Sequence, residues 1–157
     1  GLGDVYKRQQ GAFAMGKITE ENRRALENAV NYDDATLTGM ISGEFTTALA
    51  RLIEKKQVPI LHIVESTHVS KSYINKLRNP SEKSIHPRRY VIIDICLAIN
   101  ATLDETNHLL KMAQYQELYT RNPAEALIIW GMLKGLTGKE IREMLQSKGL
   151  DNIFKES

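Results

Sequence analysis

The chain has 157 residues, 42% hydrophobic and 25% charged, enough for one core, or one core plus an extension, under an ordinary solvated surface. No apolar run approaches the ~18 residues that cross a bilayer, and the beginning lacks the apolar stretch of a secretory signal, so neither a membrane nor a secreted protein is expected. The net charge of +2 hides an asymmetry: residues 55–89 hold eight Lys/Arg against two acids, leaving thirteen basic and seventeen acidic residues for the rest. That segregation is what a phosphate-facing surface produces, because basic side chains gain by displacing counterions condensed on nucleic acid.

Residues 1–18 are expected to be a disordered or non-native leader. GLGDVYKRQ resembles a translated sequencing-adapter read-through, and 1–10 are set aside from fold reasoning, with Met15 one candidate for the true start. Thr19 can cap a first helix, within a segment 19–34, on which Ala25, Leu26, Ala29 and Val30 form a modest apolar stripe. Phe45, Ala48, Leu49, Leu52 and Ile53 follow helical spacing and predict a second helix over 45–56. A short helix over 59–66 begins with Pro59 at a first-turn position, where a missing N–H costs little. Ser70 can cap the next helix, over 71–78.

The stretch 58–78 reads as a helix-turn-helix. Val58, Ile63, Val64, Val69, Ile74 and Leu77 fall where two short helices must touch, while Lys71, Ser72, Asn75 and Lys76 point outward. Basic and amide side chains on an exposed helix suit the donor and acceptor edges of the DNA major groove. The alternative is an ordinary helical hairpin with a solvated face. A turn-rich loop follows from Arg78, and Pro87 opens an apolar helix to Ile99. Cys96, the only cysteine, cannot close an internal disulfide and is read as a small core residue rather than a nucleophile, consistent with a reducing cytoplasm.

Segments 92–115 and 127–150 align without gaps at a constant shift of 35, pairing Thr102 with Thr137 and Glu105 with Glu140. Each copy predicts a helix, a turn capped by threonine and a second helix, either a duplicated hairpin or two amphipathic hairpins that converged. No period-two strand pattern occurs, so the fold class expected is all-α.

Several chemistries are not supported. His62, His68, His86 and His108 lack metal-ligand spacing, so no metal is expected. Residues 135–139, GLTGK, lack the spacing and preceding strand of a phosphate loop. Glu105 and Glu140 are better placed as first-turn residues favoured by the helix dipole than as paired catalytic carboxylates. Trp130 is assigned to the core. No enzyme activity and no cofactor are expected.

Residues 45–113 resemble the phage-repressor/Cro-like (XRE) helix-turn-helix family, a bundle of five helices. The resemblance rests on VSKSYINKL at 69–77 and PRRYVIIDICLAIN at 87–100. The longer layout is similar to small bacterial regulators in which E-x-N-x-L-L and Y-x-R-[DN], here at 105–110 and 119–122, precede a second hairpin, here 114–153. The resemblance implies base reading by Lys71, Ser72, Asn75 and Lys76, and phosphate contact by Ser70 and Asn79. Position makes Lys83, Arg88 and Arg89 further phosphate contacts. Three features depart from the family: Ile60 replaces a helix glutamine, His68 a turn glycine, and the loop before Pro87 is longer. The expected activity is sequence-specific binding of double-stranded DNA, by a homodimer on a palindromic operator, with Tyr115, Leu118 and Tyr119 as the interface. Ile60 and Leu61 are expected to be covered by the helix over 20–30. Were they exposed instead, a protein partner, as for an antitoxin or adaptor, would gain as the alternative.

Overall fold

The terminal turns show how the sequence makes each helix. The computed structural model describes residues 44–82 and 85–155; the expected leader, the helix over 19–34 and Lys83 lie outside them. Helix α1 (Glu44–Lys56) turns Phe45, Leu49, Leu52 and Ile53 inward and ends on Lys55 and Lys56, charges that favour a helix C-terminus. Pro59, extended at φ −62°, is the N-cap of α2 (Ile60–Ser66) rather than its first residue. Ser70 caps α3 (Lys71–Leu77), and α4 (Arg89–Ala98) and α5 (Leu103–Met112) complete five helices between residues 44 and 112. Helices α6 (Pro123–Leu133) and α7 (Gly138–Ser147) follow, then a single 3₁₀ turn (Asp151–Phe154). The chain is all-α, with no strand among the described residues. None of the described helices is long and apolar enough to cross a membrane.

Helix α4 is the centre of the core. Residues 92–99 are all buried, and α2, α5, α7 and the 3₁₀ turn pack around them. Cys96 lies among them as expected, its thiol pushed up to about 12 by burial, which makes it unreactive.

The shift of 35 residues is structural as well as sequential. Helix α5 moved by 35 falls on α7 end for end. Asn100 and Gly135, 35 apart, both take left-handed backbone (φ 57° and 76°), as do Gln114 and Gly149 (φ 67° and 68°). The N–H groups of Ala101 and Leu136 reach back to the carbonyls of Cys96 and Gly131, both at 2.9 Å. Those of Tyr115 and Leu150 reach Leu110 and Leu145, both at 2.8 Å. These are the 6→1 bonds that satisfy carbonyls at a helix C-terminus. Thr102 with Glu105, and Thr137 with Glu140, each form a reciprocal capping box, giving both carboxylates the helix-terminal role expected of them.

The two repeats interlock. Gly138 lies directly against the Leu97 carbonyl, where any Cβ would collide with backbone. Its N–H donates to Asn100 Oδ1 at 2.7 Å. Two expectations about this region reverse. Leu118 is buried and its N–H donates to Asn107 Oδ1, and Tyr115 is half-buried with its hydroxyl on the Pro87 carbonyl, so of the expected interface only Tyr119 stays exposed. Trp130, assigned to the core, is 46% exposed, because α6 is apolar on all sides and only one side faces the bundle.

Candidate nucleic-acid interface

Helix α3 is fixed from below. Ile74 and Leu77 are fully buried with Ile63 of α2, Val69 is buried in the turn, and Val58 and Val64 pack beside them. With that face committed, Lys71, Ser72, Asn75 and Lys76 are left exposed on the other. The Ser70 hydroxyl accepts from the Tyr73 N–H at 3.2 Å, satisfying one of the four free N–H groups of the helix start. Among the described residues no carboxylate pairs with Lys71, Lys76, Arg78 or Arg88. Asn75 Oδ1 accepts from Arg78 Nε at 3.1 Å, an exposed bond that a ligand could replace. Asn79 Oδ1 accepts from the N–H and hydroxyl of Ser81 (3.1 and 2.8 Å), so it shapes the turn and leaves only its amide N–H groups for a partner.

Arg88 and Arg89 separate. Arg88 is exposed at the N-cap of α4 and close enough to Tyr73 to oppose the rise that burial and neighbouring Tyr115 impose on that phenol. Tyr115 also holds the approach to α4: its hydroxyl donates to the Pro87 carbonyl at 2.8 Å and its ring meets His86 with centroids 5.4 Å apart. Arg89, expected to contact phosphate, is instead engaged within the chain. Its guanidinium forks onto Glu125 at 2.6 and 2.7 Å and donates to the carbonyls of Gln116 and Glu117. Burial would raise the Glu125 carboxyl, but the bonds from Arg89, the Tyr119 N–H and Tyr90 hold it below its usual range. The hydrogen bond to Glu125 raises the Arg89 guanidinium in turn.

The turn before α3 is braced from the far end of the chain. Thr67 Oγ1 donates to the Ile63 carbonyl and accepts from the Val69 N–H. The His68 N–H donates to Asp94 Oδ2 at 2.9 Å. Arg142 stands 2.5 Å from Asp94 Oδ1 but directs its hydrogen bond at the Asp94 carbonyl (2.7 Å), so Oδ1 is paired by charge rather than by a well-aimed donor. Phe154 carries the Arg142 guanidinium over its ring, 5.1 Å from the centroid, and stacks on His68 at 6.3 Å. His68 is not among the positive-φ residues, so the turn needs no glycine there. Asp94, Glu125 and Arg142 were not singled out in the sequence, although a lone acid inside YVIIDICLAI was a visible signal.

Leu61 is 62% exposed and Ile60 half-buried, and the helix over 20–30 expected to cover them lies outside the described residues. Ile60 lines a shallow groove with Ala50, Ile53, Val58 and Arg78. No three His, Cys, Asp or Glu gather as metal ligands among the described residues. The chain matches no family model, no curated protein and no solved structure.

Proposed function

We propose that this chain is a sequence-specific DNA-binding regulator of the helix-turn-helix kind, non-enzymatic, working in the cytoplasm as two copies on a palindromic site. The observation that carries the reading is the outer face of α3, where Lys71, Ser72, Asn75 and Lys76 are exposed together on a capped, anchored helix and neither lysine has an acidic partner among the described residues. Lysine donates to guanine O6 and N7, and asparagine matches the adenine N6/N7 edge, so these side chains suit the major groove. Arg88, the Asn79 amide and the Ser70 region flank the helix as contacts to phosphate, which set register without reading sequence. Selection against random double-stranded DNA should enrich one motif, and Lys71→Ala with Lys76→Ala should abolish binding to it. Enrichment of no motif would refute the reading.

The exposed Leu61 beside the half-buried Ile60 favours a second reading, in which the same scaffold binds a protein. There, Leu61→Asp would abolish capture of the partner while leaving any DNA affinity intact.

A further inference from the structure

The face that α3 turns outward is built mostly of hydrogen-bond donors. Lys71 and Lys76 can only donate, and no residue of α3 is acidic. Asn75, exposed on the same face, could both donate and accept, but Arg78, one turn further on, restricts it: Arg78 Nε lies 3.1 Å from Asn75 Oδ1. An Nε–H can only donate, so the amide oxygen is the atom that faces it, and the NH₂ group is what Asn75 has left for a partner. Asn79 is in the same state, its Oδ1 accepting twice from Ser81. Among the exposed described residues of this face, the hydroxyls of Ser70 and Ser72, 3.4 Å apart, are the acceptors that remain.

We propose that Arg78 is a positioning residue that fixes Asn75 as a donor, so that the duplex recognised presents guanine to Asn75 rather than adenine. The inference rests on the DNA-binding reading above. Pairing with adenine needs both halves of the amide, Oδ1 to accept from N6 and NH₂ to donate to N7, and so requires the bond from Arg78 to break. Guanine offers two neighbouring acceptors, O6 and N7, and leaves that bond intact, whereas thymine offers O4 alone. Docking excludes water, so an adenine at this position would leave either the Arg78 Nε–H or its own N6 amino group without an acceptor. The Arg78 guanidinium, exposed and without a carboxylate partner among the described residues, adds donors beside the amide.

Selection from a random duplex library tests this with three full-length proteins: the parent chain, Asn75→Ala and Arg78→Met. Loss of preference at one base pair in Asn75→Ala marks the position that Asn75 reads. There the parent chain should favour guanine over adenine at least about fivefold, the weight of one hydrogen bond. Arg78→Met keeps the length of the stem but has no donor, so Oδ1 is freed and the preference at that position should move to adenine, with the other positions unchanged. Arg78→Ala repeats the measurement if the methionine variant does not fold. Adenine favoured by the parent chain, or weaker binding of Arg78→Met to all sequences with the same base preference, would overturn the inference and leave the DNA-binding reading standing. A parent chain that enriches no motif would overturn both.

Discussion

Replacing Arg89 with alanine would leave Glu125 buried among Tyr119, Tyr90 and apolar neighbours with no cation. Breaking a buried pair from one side costs roughly 3–5 kcal/mol, so Arg89→Ala should lower the urea midpoint sharply. Arg88→Ala should leave that midpoint unchanged. On the proposed DNA-binding reading it should instead weaken all DNA sequences alike and reduce the salt slope of binding by about one, as loss of one phosphate contact does. The adjacent arginines could not be told apart in the sequence, because what distinguishes them is Glu125, 36 residues downstream. A second prediction concerns Glu105. Burial alone would raise its carboxyl, but hydrogen bonds from Lys56, the Thr102 N–H and Lys55 hold it at about 2, against an ordinary 4.5. A carboxyl lowered on folding contributes stability that is complete above its unfolded value and disappears as the folded group protonates. Acid titration should therefore loosen the contact of α1 with α5 progressively from about pH 4.5 down to about 2. Lys56→Met should remove part of that pH dependence.

At the scale of elements, the repeat was readable because caps and turns are local chemistry. Thr102 and Thr137 take the cap positions the spacing assigned them, and the bounds of α1, α3 and α5 follow from apolar periodicity and flanking polar residues. The outward faces were less readable. Periodicity marks which residues are apolar, and in α6 nearly all of them are, so it could not say that Trp130 faces out, while Leu118 lies in the loop before α6, where no period applies. The way the repeats meet gives a sharp test with two glycines. Gly138→Ala should prevent close packing of α7 on α4, because the new methyl meets backbone that cannot yield. Gly135→Ala meets nothing within 4 Å and should cost only about 1 kcal/mol, the strain of a left-handed residue with a side chain. Thermal melts of the two variants should therefore differ widely. Similar midpoints would show that α7 does not depend on that approach.

For the molecule as a whole, the turn that presents α3 and the end of the second repeat form one unit, joined through His68, Asp94, Arg142 and Phe154. No short-range pattern could reveal this, because it joins residues separated by 26, 48 and more positions. Arg142→Ala should leave Asp94 buried without the arginine that pairs Oδ1, so that the carboxylate, and with it the acceptor of the His68 amide, is held less firmly. Hydrogen exchange should quicken at His68 and Val69 well before α5 opens. Exchange no faster than in the parent chain would mean that Asp94 and Thr67 hold the turn without Arg142.

The brace also has a consequence for how the protein is made. A ribosome delivers Lys71 to Lys76 long before Arg142 and Phe154, so a nascent chain can have α3 exposed while the turn behind it still lacks its far support. The braced form of the turn would then be completed only when Arg142 to Phe154 emerge, and a chain stalled before Arg142 should leave the His68 amide open to exchange even with α1 to α5 already formed.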